Sequence, residues 1–427
     1  MATLPGSSLA HVVQQAAIPL PERVTIGLEA MAETAREGLL ALSVRVGLAV
    51  VAEIFEEEMT QRVGPRGKHS PERRAYRHGQ ESRQLTLGGR RVEIQKPRAR
   101  TKAGEELELE SYRLFSSRDP LTQAALDRML AGLSSRRYRA GLEPIGPVEA
   151  KAVSRSTISR RFVAGTALKL HELMGRDLHG LDLLAIFIDG IETAEHTILA
   201  VLGVDSEGRK HPLGLWEGST ENKAVCQSLL NNLIRRGLDP ERPILAIIDG
   251  GKAIRSALKA TFGDRVLIAR CRQHKRRNVL DHLPVAERAF IGRKLDKAWK
   301  QTDAVKAEQE LRALAQQLQA AHPGAAASLR EGLEETLTVT RLGLSGTLLN
   351  TFKSTNPIES MISVARTVTG NVKRWRDGQM ILRWTAAGVL EAEKQFRRVK
   401  GHRDLLLLRF GLERMLPQKD AASATVA

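Results

Sequence analysis

Two short apolar runs, each stopped by an aspartate, constrain the fold of this chain more than any other feature. The first is Leu183 to Ile188 in LDLLAIFIDG, six unbroken apolar residues closed by Asp189-Gly190. The second is Ile244 to Ile248 in PILAIIDGG, closed by Asp249. A run of that length with an abrupt polar stop fits a strand buried on both faces. Open α/β sheets bind their ligands where such strands end. Two acid-ended strands therefore predict two carboxylates at one sheet edge.

The neighbouring segments extend this into an α/β core. HTILAVLGVD (196–205) and HPLGLWEG (211–218) predict strands around the turn Ser206-Glu207-Gly208, and 222–237 predicts a helix ended by Gly237. After Asp249, KAIRSALKATFG predicts a helix and RVLIAR (265–270) a strand. Three strands, helix, strand, helix, strand imply a mixed sheet, not a uniform βαβ array. Residues 279–345 are rich in Ala, Leu, Gln, Lys and Glu, with breaks at Pro284 and Pro323-Gly324, and predict an all-helical insertion. The core resumes over 346–400 with a turn and helix in LLNTFKSTNPIESMISVARTVTG and an amphipathic helix from DGQMILRW onward. Residues 401–427 are expected to be a weakly ordered tail.

The N-terminal part reads differently. Residues 1–22 suggest a loose tail. The stretch 22–59 predicts a helix whose stripe Leu40, Val44, Leu48, Val51 fits a core face or an oligomer contact. Residues 61–100 hold twelve Lys or Arg against three acids, and RQLTL-GG-RRVEIQ predicts a β-hairpin with Gly88-Gly89 as its turn. Such a basic element, with Arg90 and Arg91 past the turn, suits phosphate contact within a region 61–118. Residues 119–175 suggest short helices. VSRSTISRRFVAG, capped by Ser154 or Ser156, has the pattern of a helix-turn-helix reader, with Arg155, Arg160 and Arg161 facing DNA.

Charge names the class of partner. Lys and Arg total 66 against 49 Asp and Glu, a net +17, and the usual polyanion for such a chain is nucleic acid. No apolar run reaches the roughly 18–20 residues of a membrane helix, and the N-terminus lacks a signal-peptide pattern. Two cysteines, Cys226 and Cys271, argue against a disulfide framework and for a reducing compartment, so a cytoplasmic, nucleoid-associated protein is expected.

Each candidate acid has a structural reading of its own. Asp189-Gly190 resembles a hairpin turn, Asp249 a helix cap, and Glu359 the third helical position of a capping box begun by Asn356. Their combination points elsewhere. Three converging carboxylates raise one another's pKa unless cations neutralise them, and hard divalent ions do so. Two such ions about 3.5–4 Å apart serve phosphoryl transfer. Mg²⁺ is expected, with Mn²⁺ able to substitute. The chain lacks GxxxxGK[ST], so no nucleotide cofactor is expected.

At these residues the chain resembles the DDE transposases of bacterial insertion sequences of the Mutator-like type. The resemblance is carried by LDLLAIFIDG, VLGVDSEGRKHPLGLWEG, NNLIRRGL, IIDGGKAI, RCRQHKRRN and STNPIES, and covers about 40 to 400, YRHG (76–79) and the hairpin included. It implies an RNase H-like catalytic domain interrupted by a helical insertion, with Asp189, Asp249 and Glu359 as the metal-binding triad. It further implies binding to the element's terminal inverted repeats, cleavage and strand transfer into target DNA, and at least a homodimer. The short loop IETAEH after Asp189, and Cys226 in place of a bulky aromatic, depart from the family pattern.

Cys271 and His274 fall at the family's Cys-x₂-His position, which implies a place beside the active site. Half of a zinc site is the other reading, but structural zinc wants four ligands. Arg270, Arg272, Lys275, Arg276 and Arg277 surround this pair and suit a grip on DNA, while Lys373, Arg374 and Trp375 offer cations beside an aromatic for stacking on a base. A non-catalytic repressor and a branched-DNA nuclease are the rival readings.

Overall fold

The computed structural model describes residues 39–68, 73–87, 90–117, 130, 150–152, 155–193, 196–218, 222–370, 372 and 374–415. The chain forms two compact units, Met1–Phe162 and Val163–Ala427.

In the first unit, helix α1 (Leu39–Val63) precedes a long antiparallel hairpin of β1 (Ala75–Leu87) and β2 (Arg90–Thr101), then β3 (Glu106–Leu107), α2 (Glu110–Ser117) and β4 (Ala150–Ala152). The hairpin is the one expected, in register Leu87↔Arg90, with its Gly88-Gly89 turn outside the described residues. It kinks where the register shifts between Arg77 and Gln80, and Gly79 there has φ +75°. Val51, Phe55, Met59 and Val63, one helical face at four-residue steps, pack α1 on the hairpin. Residues 22–38 and most of the expected helix-turn-helix region lie outside the described residues. Helix α3 (Arg155–Met174) is longer than the short helix expected, and Ser156 falls inside it instead of capping it.

The second unit is a five-stranded mixed sheet in the order 210–218, 196–205, 183–193, 244–248, 266–270. β5 (Leu183–Thr193), β6 (His196–Asp205) and β7 (Lys210–Gly218) form an antiparallel meander, followed by α4 (Lys223–Arg235). β8 (Ile244–Ile248) runs parallel to β5; α5 (Lys252–Phe262) leads to β9 (Val266–Arg270), parallel to β8. This is the element order expected. The sheet is buried on both faces, as its unbroken apolar runs require. Phe187 and Ala185 face one core with Phe352 and Ile358, while Ile186 and Ile188 face another with Leu229 and Ile254. Phe187 and Phe352 stack at 5.9 Å.

Only helices lie between β9 and the Glu359 helix among the described residues. They are α6 (Arg272–Asp281), α7 (Val285–Trp299), α8 (Ala304–Leu318), α9 (Pro323–Arg330), a 3-10 turn (Glu334–Leu337), α10 (Thr338–Arg341) and α11 (Gly346–Phe352). Leu295, Trp299, Leu311, Leu329 and Leu337 give this insertion a core of its own. α12 (Asn356–Thr369) and α13 (Gly378–Glu393) return to the sheet. The expected tail needs correction. Residues 405–415 form a docked helix, α14 (Leu405–Met415), because Leu405, Leu408 and Leu412 repeat at helical spacing and are buried.

Candidate active site

The register of β5 and β8 brings the first two acids together. Ile188 and Ile248 are the last parallel pair, and Asp189 and Asp249 follow them directly. Asp189 is not in a hairpin turn: β5 continues to Thr193, and Asp189 pairs with Ala200 of β6. Nor does Asp249 cap α5. The cap position is Gly251, whose N–H donates to Asp249 Oδ1 at 2.9 Å. Gly250 between them has φ +116°, a conformation that favours glycine.

Glu359 arrives on α12. The capping-box reading also needs correction, since Thr355 is the cap position and Asn356 opens the helix. The Thr355 hydroxyl instead donates to Glu359 Oε1 at 2.6 Å. It also lies 3.3 Å from His274 Nδ1 and 3.4 Å from Cys271 Sγ. His274 Nε2 is 3.9 Å from Glu359 Oε1. Thr355 therefore joins three residues read from the sequence, and it was missed. A threonine four positions before a glutamate, one helical turn away, was the available signal.

The electrostatics couple these groups. Burial, then the charge of Asp249 and more weakly that of Glu359, pushes Asp189 up to about 6. The bond to Cys271 raises His274, and the Glu359 and Asp249 carboxylates add to the rise. Burial pushes the Cys271 thiol up, but hydrogen bonding with His274 and Thr355 outweighs it and brings the thiol below its usual range. Cys271 is fully buried at the end of β9, and its N–H donates to Ile248 O at 2.8 Å, tying it to the strand that presents Asp249.

The cations around this pair divide. Arg277 is exposed, and Arg276 is half-buried beside Asp296 at 3.3 Å. Arg270, Arg272 and Lys275 are buried, which corrects their expected contact with DNA. Arg272 donates to Thr336 O, Trp299 O and Thr340 Oγ1 at 2.7–2.9 Å, and burial lowers it to about 10. Arg270 and Lys275 both donate to Glu331 O. These three side chains fasten the helical insertion to the end of β9. Arg270 also lies against the Asp249 loop, since a Cβ on Gly250 would collide with its guanidinium.

Of the other candidates, Arg91 and Arg160 are exposed, and the side chains of Arg90, Arg155 and Arg161 are outside the described residues. Lys373 is outside them too; Arg374 is exposed and Trp375 packs half-buried on the sheet core. No helix among the described residues is long and apolar enough to cross a membrane.

Comparisons with known proteins place the chain in a family. The family model described as "Transposase, Mutator family" matches residues 25–399. The transposase for insertion sequence element IS6120 of Mycolicibacterium smegmatis is 29% identical over 247 residues, covering 56% of this chain and 73% of that protein. The transposase for insertion sequence element ISRM5 of Rhizobium meliloti (strain 1021) is 25% identical over 355 residues, 81% of this chain and 86% of that one. Among solved structures, the Drosophila P element transposase strand transfer complex covers 75% of this chain and 94% of its own at 10% identity, with a TM-score of 0.28, too slight a likeness to carry an argument. With a match over most of its length, the chain belongs to the Mutator family of transposases, the group that includes transposases of insertion sequence elements.

Proposed function

We propose that the chain is a metal-dependent DDE transposase of RNase H-like fold. It binds the terminal inverted repeats of its element, cleaves at their ends, and joins a 3′-hydroxyl to target DNA. The observation that carries this is the electrostatic coupling of Asp189, Asp249 and Glu359 at the edge where β5 and β8 end. The meander β5-β6-β7 continued by parallel β8 and β9 supports the RNase H-like reading.

The residues fit a divalent cation. Burial and then the Asp249 and Glu359 charges hold Asp189 up at about 6, and the opposing charge of His274 offsets them only in part. Among the described residues no three His, Cys, Asp or Glu side chains stand together closely enough to hold a metal ion by themselves. Mg²⁺ uses open sets of one or two carboxylates, completed by waters and substrate phosphates. Asp189, Asp249 and Glu359 would hold it. When bound, Mg²⁺ or Mn²⁺ supplies Lewis-acid polarisation of a phosphoryl group and activation of the attacking oxygen. The chain's own part is positioning. Thr355 fixes the Glu359 carboxylate, and His274, with Nδ1 3.3 Å from that hydroxyl, has Nε2 3.9 Å from the same acid. Arg276 and Arg277 then grip flanking DNA, Arg91 and Arg160 contact the repeat backbone, and Arg374 with Trp375 meets an unpaired base. Synapsis of two ends requires at least a homodimer.

The test is strand transfer on DNA carrying the element's terminal repeats, with Mg²⁺, Mn²⁺ or EDTA, beside Asp249→Asn. Joined products are expected with wild type and metal alone, at least about a thousandfold above the variant. Joining by Asp249→Asn at the wild-type rate overturns the site. Repeat binding by both proteins without joining by either points to a repressor.

A further inference from the structure

Helix α14 carries two apolar faces. Leu405, Leu408, Gly411 and Leu412 are buried, and the three leucines belong to the sheet core. A Cβ on Gly411 would meet Leu342 O at 2.7 Å, and Arg409 is ion-paired with Asp182, so the helix is held in one orientation. The other face looks outward. Leu406 and Phe410 are each 63% exposed, and Leu407 is 48% exposed. Single apolar side chains in water need no explanation, but three together on a fixed helix mark a contact surface.

The flanking charges identify the partner. Arg403, in the 3-10 turn that leads into α14, and Leu406, Phe410 and Glu413 on the helix are exposed and spaced three, four and three residues apart, close to the seam spacing of paired helices. The pattern is self-complementary about Leu408. Leu406 and Phe410 stand two residues either side of it, and Arg403 and Glu413 stand five. Laid antiparallel on its own copy, the stripe sets Leu406 against Phe410 and Arg403 against Glu413, each twice by two-fold symmetry. The segment beyond the helix offers a poor alternative occupant, since LPQKDAASATVA has only Leu416 and Val426 as large aliphatic residues.

We propose that the outer face of α14 is an isologous interface with a second copy of this chain. A contact of one helix pair is smaller than the roughly 800 Å² per partner of a stable complex, so it gives a concentration-dependent monomer–dimer equilibrium. This interface is independent of the catalytic reading and of any contact made by the N-terminal helix.

Sedimentation equilibrium of the full-length chain without DNA tests it, with circular dichroism melts as the folding control. Phe410→Asp is expected to shift the mass to monomer at concentrations where wild type is largely dimeric. Arg403→Glu and Glu413→Arg each place like charges at both contacts and weaken dimerisation about tenfold. An equimolar mixture of these two variants restores it, because the mixed dimer pairs opposite charges at both contacts. A monomeric wild type, a Phe410→Asp protein that dimerises normally, or a mixture no better than its parts overturns the proposal. Dimerisation gained on deleting 416–427 overturns it in favour of the tail as occupant.

Discussion

A hydroxyl carries one proton, and at Thr355 it has two acceptors in reach, Glu359 Oε1 at 2.6 Å and Cys271 Sγ at 3.4 Å, of which the nearer Glu359 takes the larger share. The contact with His274 Nδ1 at 3.3 Å then runs from the ring N–H to the threonine oxygen. One buried side chain thereby sets both the carboxylate orientation and the imidazole tautomer. Thr355→Val keeps the shape and removes the hydroxyl, so strand transfer is expected to fall about 10- to 100-fold with the melting temperature little changed. Thr355→Ser restores most of the rate. Equal losses in both variants would reduce Thr355 to a packing residue; the readout is single-turnover joining at saturating DNA. At this scale the sequence was informative wherever chemistry has a dedicated residue type. Asp189, Asp249 and Glu359 could be put forward from it as candidates, and Cys271 and His274 through the family resemblance. Thr355 was passed over despite its spacing from Glu359, because threonine in STNP reads first as turn chemistry, and its contacts with Cys271 and His274 depend on β9 and α12 meeting in space.

Elements explain why the charge runs misled. The five cations from Arg270 to Arg277 look like a solvent-facing grip, but the helical insertion folds back over them and buries three. The hairpin shows the converse. Six of its region's cations, Arg62, Arg66, Arg77, Arg83, Lys96 and Arg98, meet carboxylates, most from α1 and the segment after β2. A local count of +9 therefore overstated the free charge. Lys275 carries the element-scale prediction. It is fully buried, and burial with the neighbouring Arg270 lowers it to about 8 from 10.5. A lysine depressed in the folded state contributes stability in full above the unfolded pKa and loses it as pH falls through the folded value. Stability should therefore rise between about pH 8 and 10.5, by up to about 3 kcal/mol. In urea unfolding across that window, Lys275→Met should flatten the rise. A rise of equal size in the variant would assign it to other groups.

The whole molecule has separate cores in its two units. Met59, Val63, Ala75, Ala99 and Leu109 serve the first, and the two faces of the sheet serve the second. The net +17 was legible from the start, but it reports the class of partner and nothing of this division. Separate cores allow separate melting transitions in calorimetry. The candidate carboxylates all belong to the second unit, so a cation they hold should raise that transition alone. At ten times its dissociation constant Mg²⁺ contributes about 1.4 kcal/mol, roughly 2–4 °C for a domain of this size. Asp249→Asn should invert the pattern. In EDTA its second transition should lie above that of wild type, because Asn removes the charge that repels Asp189. In Mg²⁺ its gain should shrink toward zero, because a ligand is lost. If Mg²⁺ raises both transitions equally, or raises the variant as much as wild type, the cation is held elsewhere. A wild type more stable than Asp249→Asn in EDTA would mean that the charge on Asp249 strengthens its bond from Gly251 by more than it costs beside Asp189.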